Sequence, residues 1–404
     1  MGMRDGGRPD DTAYAQAWRA PTDVEQRLYD AKLHGEWGTY FDVLAGARLF
    51  HAMSRAKAEA DPDILTWTPY WNPANRSYCF AFLTEGLLPA PMPDPVFLRT
   101  SLGDLARRAF WDGAWMAINP GTPCEAYFPA TPAHRAEWKQ HDLRAPGTRQ
   151  PTTLRALRVG GPLHGPVAHG LACGALLCVS NGSLWNAMGW HGTGFHSERE
   201  RLLEWWGIAS RVQWQAYEEQ LLNGRMSDPM WEFALKIRRA LADELGGAAV
   251  EAGLWRHVSE SSMRGRAQET GDADGLEEAI DAVQQFIGRV TRYEARFRAD
   301  GLLAENRQVR SVLAWDYGRA SKMARWGLGA RFCELPEAEA AVVRAGEVSK
   351  ASYDSWEDFS AGYVLGRCLH FDGEEFGTWY GNMLDAHRIL TTDPGSPWLN
   401  IPWK

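Results

Sequence analysis

Two tryptophan-centred segments near the C-terminus carry the residue types best suited to form a site. The first is AWDYGR at residues 314–319, and the second is SWEDF at 355–359, which runs on into GYVLGR at 362–367. Ionised side chains are costly to bury among large aromatic rings unless they are paired. The charges of these segments therefore either lock two helices together or line a binding pocket.

Both interpretations use the same side chains. Asp316 and Arg319 are three residues apart in a helical pattern, a spacing at which they can pair directly, and Arg367 is the natural third member if the two helices pack together. The structural interpretation is an ionic and aromatic lock, which the sequence favours. The functional interpretation is a pocket for an anionic small molecule, with Arg319 and Arg367 as bidentate donors. The candidate residues are Trp315, Asp316, Arg319, Trp356 and Arg367.

Four further residues are weak candidates. His191 and His196 flank a glycine-rich stretch before a predicted helix, but their spacing fits no zinc motif, so exposed histidines are favoured over metal ligands. His370 and Asp372 could form an acid–base pair, although without an identified nucleophile a turn after a helix is favoured. The sequence contains no known catalytic motif, and we expect no metal and no cofactor.

The composition narrows the function classes. Of the 404 residues 45% are hydrophobic, and the formal net charge of -8 argues against binding to nucleic acid, which favours a basic surface. No apolar run approaches the roughly 20 residues that a membrane helix needs, and the N-terminus lacks an apolar signal region. We therefore expect a cytoplasmic protein without a membrane partner. None of the six cysteines forms a Cys-x-x-Cys pair, so free core thiols are favoured.

The chain is long enough for two domains, and its patterns predict an α+β fold: a small mixed α+β N-terminal domain followed by a larger, mainly α-helical one. After a flexible arm at residues 1–20, the first domain covers 21–138. It begins with a capping box at Thr22 and continues with a helix at 40–58. Its predicted strands cover 64–70, 77–83, 95–99 and 115–119.

A basic stretch rich in proline and glycine, residues 139–167, is interpreted as the interdomain linker. The helical domain then covers 168–390. Its predicted features are a capping box at Ser197, a helix start at Asp228, a long loop at 245–273 and a helix with an apolar stripe at 276–297. The last residues, 391–404, are predicted to form an extended tail in which Trp398 and Trp403 anchor to the surface.

Both halves resemble known families. Residues 22–138 resemble the N-terminal domain of the SseB family, on the segments PVFLRTSLGDL at 95–105 and MAINPGT at 116–122. Residues 169–381 resemble the bacterial domain-of-unknown-function family 1266. That resemblance rests on the Trp185-Asn186 pair, LLEWWGI at 202–208 and the two tryptophan-centred segments. The family usually has a histidine near the helix stop at Gly224, where this chain has Arg225 and Met226. Neither resemblance implies a biochemical activity.

The twenty tryptophans favour thick aromatic cores, and we expect some of them to line a groove or an interface. We expect a non-catalytic interaction or adaptor protein that binds a protein partner through tryptophan-rich surfaces. The alternative is an enzyme, or a toxin- or defence-associated factor, with an anionic-ligand pocket around Asp316, Arg319 and Arg367. A sealed ion network would favour the adaptor, whereas an open pocket with unpaired arginine donors would favour ligand binding.

Overall fold

A computed structural model of the chain describes residues 18–55, 57, 67–90, 92, 94–107, 110, 113–145, 154–189, 195–271 and 274–404. The chain forms two compact units. The first consists of Met1–Ala52, Trp67–Pro91 and Arg99–Arg149, and the second of Met53–Thr66, Met92–Leu98 and Gln150–Lys404. Two short segments of the N-terminal half therefore belong to the second unit, whereas the sequence predicted contiguous domains. Residues 1–17 of the predicted arm lie outside the described part of the chain.

The first unit combines helices with a mixed sheet. Its elements are α1 Asp23–His34, α2 Trp37–Gly46, β1 Leu49–Met53, β2 Tyr70–Asn72, β3 Ser77–Thr84, α3 Leu102–Arg107, β5 Trp115–Ile118, β6 Ala126–Pro129 and α4 Pro132–Arg144, with β4 Val96–Thr100 reaching into both units. Strand β3 pairs antiparallel with β1 and β2 and parallel with β5, which pairs antiparallel with β6. The predicted α+β class is confirmed.

The first helix of this unit begins where the local sequence predicts, whereas the next predicted helix is cut short by strand pairing with distant residues. The Thr22 hydroxyl accepts a hydrogen bond from the amide of Val24 at 3.2 Å and caps α1, as predicted. The helix predicted for 40–58 is present but too long, because α2 ends at Gly46 and Leu49–Met53 forms a strand. Leu49 and Phe50 pair with Thr84 and Leu83 of β3, a contact that local propensity does not register.

The predicted linker is also partly wrong. Residues 139–144 are the last turns of α4, strand β7 occupies Leu157–Val159, and helix α5 begins at Gly165. Its central part, 146–153, lies outside the described residues. Strand β7 pairs antiparallel with β4, joining Val159 to Phe97.

The second unit is mainly helical. Its helices are α5 Gly165–Cys173, α6 Ala175–Asn181, α7 Phe195–Trp206, α8 Arg211–Leu222, α9 Pro229–Glu244, α10 Ala252–Thr270, α11 Leu276–Ala299, α12 Ala314–Gly329, α13 Leu335–Ser352, α14 Trp356–Phe371, α15 Thr378–Thr392 and α16 Pro397–Asn400. None of the described helices is long and apolar enough to cross a membrane.

Helix α12 is the centre of this unit, since every residue from Ala314 to Gly329 is buried. Glycine lets α12 and α14 approach closely. A Cβ atom at Gly318 would lie 2.6 Å from the ring of Tyr363, and one at Gly366 would lie 2.7 Å from the side chain of Trp315. The two tryptophan-centred segments therefore pack against each other.

Three local predictions for this unit fail. Residues 252–270 form α10 and not a loop, because Trp255 is buried and its indole N–H donates to the carbonyl of Ala234 at 2.8 Å. Ser197 lies inside α7, so it does not cap a helix. The tail is not extended over the surface: it contains α16, and both Trp398 and Trp403 are buried.

Candidate functional site

The buried carboxylate of Asp316 anchors the turn before α9. Its oxygens accept hydrogen bonds from the amides of Met226 and Ser227, at 3.1 and 3.0 Å, and from the Ser227 hydroxyl at 3.0 Å. Arg319, one turn further along α12, forms an ion pair with the same carboxylate. Asp316 is fully buried, and the hydrogen bonds to its carboxylate tie residues 226–227 to α12.

Aromatic rings surround the guanidinium of Arg319. Its Cζ lies 4.2 Å from the ring centroid of Trp315 and 5.8 Å from that of Trp206. Burial lowers the pKa of Arg319, and the charge of Asp316 opposes that shift. An arginine keeps its proton at neutral pH, so the ion pair stays charged and the Asp316 carboxylate balances the guanidinium.

Arg367 on α14 differs from Arg319 in its partners. Arg367 is only 8% exposed. Its Cζ lies 5.4 Å from the ring centroid of Trp315, 5.7 Å from that of Phe371 and 5.1 Å from that of Trp379. Within the described part of the chain, no carboxylate forms an ion pair with Arg367. The expected third member of the lock is therefore a separate cation, held among aromatic rings.

Arg319 and Arg367 line one cavity of about 690 Å³. Seven aromatic side chains contribute to its wall: Trp205, Trp206, Tyr217, Trp315, Trp326, Phe371 and Trp379. The remaining lining residues are Leu177, Asn181, Met226 and His370. Trp205 is 60% exposed and Trp379 44%, whereas Trp315 is buried, so the cavity runs from an exposed aromatic rim to a buried wall.

The charges of the cavity favour an anion. Burial lowers the pKa of His370 below its ordinary value, and the charge of Arg319 adds to that effect. Both effects favour the neutral imidazole, and the charge of Asp316 opposes them. Since Asp316 neutralises Arg319, the guanidinium of Arg367 is the uncompensated charge among the described lining residues. Burial raises the pKa of the neighbouring Tyr363 to about 12, against the opposing charges of Arg367 and Arg319.

The other predicted site residues lie elsewhere. Trp356 does not line the cavity: it packs in the core against the tail, with its ring centroid 4.7 Å from that of Trp403, and its indole N–H donates to the carbonyl of Ile401 at 2.8 Å. His196 packs on the ring of Phe195, with 3.9 Å between centroids. His191 lies outside the described residues.

Asp372 does not pair with His370. Its carboxylate accepts hydrogen bonds from the Tyr293 hydroxyl and the Phe376 amide, both at 3.0 Å, and from the Tyr380 amide at 3.3 Å. The turn after α14 is the interpretation that the structure supports. No group of three His, Cys, Asp or Glu side chains in the described ranges is placed to hold a metal ion. All six cysteines are free and buried, as predicted.

Sequence reasoning missed three of the aromatic residues that line the cavity. Trp205 and Trp206 stand in the segment 202–208, which carried part of the family resemblance but was not assigned to a site. Trp379 sits in α15, beyond the second tryptophan-centred segment. The adjacent pair Trp205-Trp206 at a helix end was the available signal, because one of two consecutive bulky rings on a helix faces away from the core.

The fold and the cavity define a helical domain with an aromatic pocket that contains one uncompensated cation. Residues 201–403 match the family described as protein of unknown function (DUF1266), and the chain belongs to that family. The match reaches the tail, beyond the end at residue 381 that the sequence predicted. No family match supports the SseB-like resemblance of residues 22–138. Neither the curated proteins nor the solved structures contain a match to this chain.

Proposed function

We propose that the helical unit binds a small anion with a flat apolar part in the cavity lined by Arg319 and Arg367. The observation that carries the proposal is the environment of Arg367. Arg367 is 8% exposed, its guanidinium lies among three aromatic rings, and the described residues supply no carboxylate partner.

The energetics of a buried guanidinium support an incoming anion. Cation–π contacts contribute about 0.5–2 kcal/mol each, less than the several kcal/mol that desolvation of an unpaired ion costs. A carboxylate or phosphate can accept two parallel hydrogen bonds from a guanidinium, which pairs the charge and fixes the orientation of the ligand. The aromatic wall suits a planar ligand body. The cavity volume of about 690 Å³ is typical of small-molecule pockets.

The proposal is binding and not catalysis. The described lining residues include no serine, threonine or cysteine nucleophile that His370 could activate. The proposal keeps the sequence-based preference for a protein without enzymatic activity, which stays a prediction. It departs from the preferred adaptor role, in favour of the ligand-binding part of the alternative.

A pair of matched probes tests the proposal. Benzoate and benzamide have nearly the same shape, but benzoate carries a negative charge at pH 7. Isothermal titration calorimetry on the purified full chain should show saturable binding of benzoate. The affinity for benzamide should be at least about tenfold lower, since only the anion pairs with Arg367. Equal affinity for the two probes, or no binding of benzoate, would overturn the proposal.

A protein-binding role is the second candidate, and three exposed apolar side chains favour it. Leu203 is 55% exposed, Trp205 60% and Val212 73%, on α7 and α8. A Leu203→Asp, Val212→Asp double variant should release a partner that the wild-type chain captures, while benzoate binding stays unchanged. A partner that both chains retain equally would argue against this surface. The SseB-like nature of residues 22–138 and a cytoplasmic location remain proposals on the sequence evidence above.

A further inference from the structure

His370 and Arg367 are placed to act on the same ligand. They are three residues apart on α14, so they share one side of the helix, and both line the cavity. Asp372, the partner that the sequence offered to His370, is bound by Tyr293 and two backbone amides. The imidazole of His370 is thus free of that acid–base pair and available to the cavity.

Burial and the charge of Arg319 favour the neutral form of His370 in the ligand-free protein. From α12, Arg319 disfavours protonation and Asp316 favours it, while burial adds to the effect of Arg319. From its own helix, Arg367 adds a second positive charge in the same cavity. From α9, the packed side chain is the uncharged ring of Trp231, whose centroid lies 6.5 Å from that of His370. The balance changes when an anion enters, because a negative charge favours the imidazolium form.

We propose that His370 sets the charge of the anion that the cavity accepts, taking up a proton when a dianion binds. With neutral His370 the cavity offers one uncompensated cation, Arg367, and matches a monoanion. With protonated His370 it offers two and matches a dianion. This inference rests on the proposed function, since it assigns a role in charge selection to a residue of the same cavity.

The direction of the pH dependence follows from linkage. An anion raises the pKa of His370, so the complex binds more protons than the free protein in the interval between the two values. Affinity for a dianion therefore rises as the pH falls through that interval and levels off below it. A rise of one pKa unit on binding corresponds to a gain in affinity of about tenfold.

The probes must not titrate in this range. Benzenesulfonate is a permanent monoanion and 1,3-benzenedisulfonate a permanent dianion, so any dependence on pH comes from the protein. Calorimetric titrations of the full chain at pH 7.5 and 5.5 should show about a tenfold gain for the disulfonate at the lower pH and a smaller one for the monosulfonate. In His370→Gln the gain for the disulfonate at the lower pH should vanish.

A matched variant controls for general effects of acid. His257 is an exposed histidine on α10, and His257→Gln should retain the wild-type pH dependence. If the disulfonate gains affinity equally in wild type and His370→Gln, or does not gain in wild type, the role of His370 is wrong while anion binding stands. If benzoate and both sulfonates fail to bind the wild-type chain at either pH, the proposed function fails and this inference with it.

Discussion

Asp316 and Arg319 form an ion pair in the core of the helical unit, and Asp316 also holds the backbone of residues 226–227. One carboxylate thus does two things: it closes α12 onto the turn before α9, and it neutralises one of the two guanidiniums at the cavity. Arg367 has no carboxylate ion-pair partner among the described residues. The lock and the pocket that the sequence offered as alternatives are adjacent parts of one arrangement.

The lock predicts a large loss of stability when Asp316 is removed. Asp316→Ala leaves the charge of Arg319 unpaired and three donors of residues 226–227 without their acceptor, so the free energy of unfolding should fall by about 3–5 kcal/mol. Urea unfolding measures this. In a double-mutant cycle, Asp316 should couple to Arg319 by more than about 1 kcal/mol and to Arg367 by less than about 0.5 kcal/mol. Stronger coupling to Arg367 than to Arg319 would contradict the assignment.

The buried carboxyl group of Glu218 should make the free energy of unfolding depend on pH, and the direction of its pKa shift gives the sign of that dependence. Glu218 is 5% exposed, and neither carboxylate oxygen has a hydrogen-bond partner in the described structure. Nearby Arg344 is engaged in two hydrogen bonds, at 2.7 and 3.0 Å, to the Glu219 carboxylate. Burial therefore raises the pKa of Glu218 well above its ordinary value. The folded chain keeps a proton that the unfolded chain loses above about pH 4.3.

Because the pKa of Glu218 is raised in the folded state, protonated Glu218 contributes to the free energy of unfolding. That contribution is fully present below about pH 4.3 and is lost as the pH rises through the folded-state pKa. Glu218→Gln removes that loss. Its advantage over wild type, measured by urea unfolding at pH 4.5, 6.0 and 7.5, should grow with pH. Glu219→Gln is the control: Arg344 lowers the pKa of this exposed carboxylate, so no such growth is expected. A constant difference between Glu218→Gln and wild type would show that Glu218 is ionised in the fold.

We expect the truncation of a tryptophan in the tail to lower the free energy of unfolding by more than it would in an extended surface segment. Trp403 is 7% exposed, and its indole N–H donates to the carbonyl of Tyr353 at 2.9 Å. Trp403→Ala should lower the free energy of unfolding by about 3–5 kcal/mol, the usual cost of truncating a buried aromatic side chain. Trp205→Ala, at a 60% exposed position, should change it by about 0.5 kcal/mol or less. Similar effects of the two substitutions would contradict the burial of the tail.

Much of the fold follows from local signals. The cap at Thr22, the start of α9 at Asp228 and the apolar stripe of α11 all appear where the sequence places them. The failures are where distant residues decide. Leu49–Met53 becomes a strand through its pairing with β3, and α10 is stabilised by the burial of Trp255 against α9. The neighbouring sequence of Leu49–Met53 does not reveal its pairing with β3, and that of α10 does not reveal its packing on α9.

The site divides in the same way. The pairing of Asp316 with Arg319 is a contact within one helix, so spacing alone predicts it. The wall of the cavity comes from α7, α8 and α15 as well, and no spacing rule links Trp205 or Trp379 to Arg367. Trp356 shows the converse error: it shares a segment with Arg367, yet its ring lies with Trp398 and Trp403 in the core.

The central claim is that Arg367 is held for a ligand and not for the fold, and Arg367→Gln tests it most directly. Calorimetric titration with benzoate and urea unfolding should be run on this variant, with Arg264→Gln, which replaces a partly exposed arginine on α10, as control. The account predicts benzoate binding weakened about tenfold or more in Arg367→Gln, unchanged binding in Arg264→Gln, and a loss of stability below about 1 kcal/mol in both. Undiminished benzoate binding in Arg367→Gln, together with a loss of stability of about 3 kcal/mol or more, would contradict it and make Arg367 part of the structural lock.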